Sequence, residues 1–192
     1  MLRDEFVKIY WRYYLVLEEH FHKIEKYVEF TEDNYSTYSM EFISCLMEIG
    51  SEIDGVMKNI CGFPATARKT INDYISDILE KYPDIREKEV LVRNMVILPF
   101  QGWSIEEPAK SLEWWQAYNN VKHGRSENYQ QANLKNVIHA LAALFLLEMY
   151  RIKEIANVDQ EMDIPEKESE IFRIKNWENR WISCGNLKFY EH

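Results

Sequence analysis

The densest run of side chains able to do chemistry is Trp114-Trp115-Gln116-Ala117-Tyr118-Asn119-Asn120-Val121-Lys122-His123-Gly124-Arg125. Wound as a helix at about 100° per residue, it sets Trp115, Tyr118, Asn119 and Lys122 on one face, with His123 on the edge beside Asn119. An imidazole titrates near neutral pH, so His123 can take up or release a proton there. Lys122 and Arg125 bring positive charge next to it, which stabilises an anion as it develops. The amide of Asn119 can orient the ring or hold a phosphate oxygen. A plainer reading covers the same residues. Lys122 and His123 at the C-terminal end of a helix complement its dipole and bond its last carbonyls without any chemistry. Asn119 can be a buried amide satisfied by a neighbouring helix end, and Trp114 and Trp115 large packing side chains.

This string resembles the motif of the HEPN superfamily (higher eukaryotes and prokaryotes nucleotide-binding domains). That motif is an Arg, a polar residue that is often Asn, three or four further residues, and a His. Asn119 fits the polar position and His123 the histidine, but Tyr118 stands where the Arg belongs. The whole string, ahead of a long Ala/Leu-rich segment, also looks like uncharacterised bacterial HEPN-like proteins. The motif spans about a dozen residues, and the helical patterning around it extends the likeness over Phe6–Ala156. The resemblance implies a helical bundle, dimeric in many members, that cleaves RNA without metal or binds RNA or nucleotides, in a toxin or defence system. It implies His123 as the base for the 2′-hydroxyl and Asn119 as its positioning partner. Lys122, Arg125 and Tyr118 would then contact the phosphate, in two motifs that meet across a homodimer. A lysine is a point charge without the guanidinium fork, so neither it nor a displaced Arg125 is an equivalent replacement. No cofactor and no metal ligand are implied. The competing reading is non-catalytic: a degenerate bundle whose aromatic faces bind a protein partner.

Other clusters carry less. Glu41, Glu48 and Glu52 share a flank of one helical stripe, and Glu52 is the acid that could meet the cationic spot; as plain surface they form a solvated face. Glu19-x-x-His22 has the spacing of carboxylate-bridged di-iron bundles, but no second copy of it occurs. His-Glu-x-x-His, a Gly-rich phosphate loop and a Gly-x-Ser-x-Gly elbow are missing from the sequence. His139 falls within an apolar helix and reads as a core residue. Cys45 and Cys61 fall on apolar faces as small hydrophobes. Three cysteines without paired spacing give neither a disulfide framework nor a Cys-based zinc site.

The elements that must position these groups are helices. Phe6, Tyr10, Tyr13, Leu17, Phe21, Ile24 and Val28 recur at steps of three and four, as do Tyr35, Tyr38, Phe42, Leu46, Ile49, Ile53, Val56 and Ile60. The spacing predicts a third helix over 67–81 and a fourth over 107–123 with Gly124 as its stop. The fifth runs to about Ala156, capped by Ser126 or Asn128, and its apolar stretch Val137–Leu147 marks it as the central one. Lys88–Phe100 reads as a small hairpin or an extended arm, and the segment from Ile171 as an extended arm or short helix. The expected fold class is therefore all-α, a bundle of four or five helices over 1–158 with a small β appendage. An acidic linker and a C-terminal arm packed on the bundle make up 159–192.

In 192 residues, 46 % apolar and 29 % charged, there is enough material for one globular core. The longest strongly apolar run, Ala140–Leu147, is far short of the about 20 residues of a membrane span. The pattern points to a cytoplasmic protein with no membrane partner. The net charge of −9 repels nucleic acid at long range, so RNA would have to bind at a local cationic patch.

Overall fold

A computed structural model describes residues 3–158, 167–181 and 187–191. The first helical rod opens with α1 (Arg3–Phe6), continues through a π-helical stretch (Val7–Trp11) and ends as α2 (Arg12–Ile24). The buried face of α2 includes Leu17, Phe21 and Ile24 of the predicted stripe, but Tyr14 takes the buried place expected of Tyr13, which is exposed. The next helix, α3 (Met40–Ile60), begins later than its stripe suggests. Ser39 is its N-cap, with Oγ accepting from the Phe42 N–H at 3.1 Å. Tyr35 precedes it in a turn, and Tyr38 forms an isolated bridge with Asn133.

The short helix α4 (Ile71–Lys81) starts four residues after the predicted Ala67, because Thr70 and Asp73 form a capping box there. Next comes α5 (Glu113–Asn128), which starts later than expected and carries a break at Gly124. The last helix, α6 (Leu134–Val158), is capped by Asn133, whose Oδ1 accepts from the Asn136 N–H at 3.0 Å, and not by Ser126 or Asn128. From Val137 to Leu147 only His139 escapes full burial, so α6 is the central helix, packed against α2, α3 and α5.

The molecule is mainly helical but not strictly all-α. Strands β1 (Val90–Val92) and β2 (Met95–Ile97) form a hairpin around Arg93-Asn94, with Arg93 at φ 50°. A third strand, β3 (Phe172–Ile174), pairs antiparallel with β1, giving the order β2-β1-β3. Beyond it β4 (Trp177–Trp181) pairs with β5 (Leu187–Glu191). The segment from Ile171 is thus extended and pairs as strands. The buried Glu18 carboxylate holds its start: Oε2 accepts from the Glu170 N–H at 3.0 Å, and Oε1 from Tyr14 Oη at 2.6 Å and from Ser169 Oγ. Trp11 Nε1 donates to the Lys167 carbonyl at 2.9 Å. Of the predicted acidic linker over 159–170, residues 159–166 lie outside the described residues, as does Cys184. No helix among the described residues is long and apolar enough to cross a membrane.

Candidate functional site

The site is built on α5, which is fixed at both ends. At its start, Trp114 Nε1 donates to the Pro99 carbonyl at 2.7 Å, and the Trp114 ring stands edge-on to Phe100 at 5.9 Å. At its end, an amide relay absorbs the break at Gly124 (φ −150°, ψ 58°). Asn128 Nδ2 donates to the Gly124 carbonyl, Gln131 Nε2 to Asn128 Oδ1, and Asn120 Nδ2 to Gln131 Oε1, each at 2.8–2.9 Å. The predicted stop at Gly124 is a real backbone break, but the helix resumes after it.

Between these ends Tyr118 is buried, and its ring lies on Gly50 of α3. A Cβ at residue 50 would fall against Tyr118 Cδ2 and within 2.5 and 2.6 Å of Cγ and Cε2. A side chain there would hold the two helices apart, so glycine is what allows their approach. The Tyr118 ring also packs against Trp115 at 5.3 Å.

A cleft of about 480 Å³ opens beside this contact. One wall is α5, with Trp115, Tyr118, Asn119, Lys122 and His123; the others are Asp54 of α3 and the start of α4, at Lys69, Thr70, Ile71 and Asn72. Asn119 Nδ2 donates to the Trp115 carbonyl at 2.9 Å, and its Oδ1 makes no hydrogen bond among the described residues. Lys122 Nζ donates to Tyr118 Oη at 3.1 Å and sits 5.1 Å from the centre of that ring. His123 is exposed and makes no hydrogen bond or ion pair among the described residues.

The charges around the cleft do not all cancel. Lys69 pairs with Asp73 at 3.1 Å, Lys110 with Glu107 at 2.9 Å, and Asp54 with Lys58 at 2.6 Å. Asp54 Oδ1 also accepts from Tyr74 Oη at 2.8 Å. Lys122 has no carboxylate partner among the described residues, so it and the exposed His123 are what an incoming anion meets.

Four of the sequence-predicted residues therefore come together: Tyr118, Asn119, Lys122 and His123. Arg125 does not join them; it is exposed beyond the break and does not line the cleft. Nor does Glu52. Two residues from Asp54 is about 200° around a helix, so the two acids face opposite ways. Glu52 is half-buried, its carboxyl pushed up by desolvation, and after burial it is the acid that helps raise both the Tyr10 phenol and the carboxyl of Glu148 of α6. Glu148 is completely buried, both its oxygens lack a partner among the described residues, and burial holds its carboxyl well above the usual range. Asp54, the start of α4, and Ala109 and Lys110 ahead of α5 are among the cleft residues that the sequence reading missed.

Outside the cleft, His139 is mostly buried, its pKa is driven down to about 4 by desolvation, and it meets Tyr35 edge-on. Burial pushes the Cys45 and Cys61 thiols up to about 12. No group of three or more His, Cys, Asp or Glu among the described residues is placed to hold a metal ion. No family model, no curated protein and no solved structure matches this chain.

Proposed function

We propose that the cleft beside Asn119, Lys122 and His123 receives the phosphate backbone of RNA or a nucleotide, and that His123 serves there in metal-independent RNA cleavage, as the resemblance to HEPN proteins implies. The observation that carries this reading is the exposed His123 next to an uncompensated Lys122 in an open cleft of about 480 Å³. In that chemistry the 2′-hydroxyl attacks the adjacent phosphorus and gives its proton to His123. The P–O5′ bond breaks, leaving a 2′,3′-cyclic phosphate, and the 5′-oxygen takes a proton from water. Lys122, steadied on the Tyr118 hydroxyl, offsets charge on the phosphorane oxygens. The Oδ1 of Asn119 is free to accept from the imidazole or a ribose hydroxyl. A homodimer would set two such motifs side by side, and a toxin or defence role in the cytoplasm would suit the activity.

One observation favours the non-catalytic alternative. The motif Arg is replaced by a tyrosine whose ring is locked on Gly50, so the position serves packing. In that case the bundle is a protein-interaction module.

The deciding experiment is RNA cleavage in EDTA by wild type and His123→Ala, with the ends tested for 2′,3′-cyclic phosphate, alongside RNA binding by fluorescence anisotropy. Cleavage that survives the chelator and disappears in His123→Ala supports the enzymatic reading. RNA binding without cleavage, weakened by Lys122→Ala, supports only the binding half. Folded protein that neither cleaves nor binds refutes both and leaves the interaction module.

A further inference from the structure

We propose that the face shared by α2 and α3, away from the cleft, docks a cationic amphipathic helix of a partner protein. Two parallel rows define it. The first rod exposes Ile9, Tyr13 and Val16, at 55 %, 40 % and 58 % of their full accessible surface. Their spacing of four and three residues aligns them as one apolar stripe that nothing in the described chain covers. Beside it α3 presents Glu41, Glu48 and Glu52, the first two exposed and the third half-buried.

The rows are adjacent. His20, which continues the apolar row, bonds Glu41 through Nε2 at 2.5 Å, and its Nδ1 lies 3.4 Å from Glu48. The Tyr13 phenol is raised by partial burial and then by the carboxylates of Glu48 and Glu52. His20 is the single basic group bonded to any of these three acids among the described residues, and Glu52 has no bonded partner there.

The chemistry of the missing occupant follows from this pairing of rows. Apolar side chains on the stripe gain by leaving water, and the acids beside them need cations once water is excluded. At 1.5 Å of rise per residue, Glu48 and Glu52 are about 6 Å apart along α3 and Glu41 lies about 10 Å before Glu48. Lysines or arginines four and seven residues apart on a helix laid along α3 match that spacing. Anionic partners such as nucleic acid are repelled here, and a net charge of −9 per chain opposes a second copy. This inference does not rest on the cleft or on any activity of His123.

A helical peptide with an apolar stripe of leucines flanked by lysines serves as the probe, and its scrambled isomer, which has the same charge and no stripe, as the control. Titration into the whole protein, followed by anisotropy, is expected to show saturable one-to-one binding of the first peptide alone. Tyr13→Ser with Val16→Ser, and separately Glu48→Gln with Glu52→Gln, should each weaken it about tenfold. Glu29→Gln with Glu87→Gln, which removes the same charge elsewhere on the surface, should leave it unchanged. Equal binding of the scrambled peptide, or equal loss in both glutamine pairs, overturns the proposal, because bulk charge then explains the affinity. No binding by folded protein also overturns it. So does a wild-type dimer in sedimentation that Val16→Lys dissociates, since a second copy would then cover the face.

Discussion

Gly50→Ala tests the contact that holds α5 against α3. In an ordinary buried helix this change is favourable by about 0.5–1 kcal/mol, because alanine has less backbone freedom to lose. Here the new methyl meets Tyr118 Cγ and Cε2 at 2.5 and 2.6 Å, about 1 Å inside normal carbon contact. The ring cannot swing away freely, since it packs on Trp115 at 5.3 Å and its hydroxyl is bonded by Lys122 at 3.1 Å. Overpacking of that kind costs about 1–3 kcal/mol, so the net loss should be about 1–2 kcal/mol. At about 2–4 °C per kcal/mol for a chain of this size, the melting temperature should fall by roughly 2–8 °C. The decisive assay is a double-mutant cycle by urea unfolding with Tyr118→Ala. That variant alone loses about 3–5 kcal/mol by opening a cavity. In its background Gly50→Ala should change sign and stabilise by about 1 kcal/mol, giving a coupling of about 2–3 kcal/mol. If Gly50→Ala destabilises equally in both backgrounds, Tyr118 is not what the glycine accommodates, and the account of how α5 is seated fails. The same pair bears on the cleft: a displaced Tyr118 moves Lys122, so Gly50→Ala should also weaken RNA binding where wild type shows it.

Two further changes follow from buried or capping groups. Glu148 binds a proton in the folded state that the unfolded chain releases above about pH 4.3, so its contribution to stability declines as pH rises beyond that value. Glu148→Met removes two unpartnered oxygens and should therefore stabilise the protein by about 2 kcal/mol at pH 7, with the gain shrinking toward pH 4; thermal melts across that range would show it, and a loss of stability at pH 7 would mean that the carboxylate has an essential partner. Thr70→Ala breaks the capping box at the start of α4 and should cost about 1 kcal/mol by urea unfolding, while an unchanged midpoint would show that the cap contributes nothing.

What could be read from the sequence depended on how local its cause was. The stripes of α2 and α3 were legible because each helix buries one face against a core, which forces the three- and four-residue spacing, and α6 was legible because a stretch apolar on nearly all sides marks a helix buried all round. The ends of helices were less so. Tyr35 and Tyr38 continue the spacing of α3, yet Ser39 starts the helix, because a cap outweighs an apolar period. For β3 an extended arm was one of two readings, but its pairing was not legible, since its partner β1 lies some 80 residues earlier in the chain and the pairing leaves no period in either segment.

The candidate site divides along the same line. Asn119, Lys122 and His123 share a helix face, so a single helical wheel brings them together. Choosing the acid that joins them required the rotation of α3 about its own axis, and Glu52 and Asp54 are about 200° apart on that wheel. The clue was present in Gly50. A glycine inside an otherwise apolar helix weakens it and is tolerated where another element presses close. Asp54 is four residues further on, one turn along the same face, and so shares whatever packs against Gly50. The face with the smallest side chain, rather than the flank with the most carboxylates, is where α5 lies, and that places Asp54 in the cleft and turns Glu52 away from it.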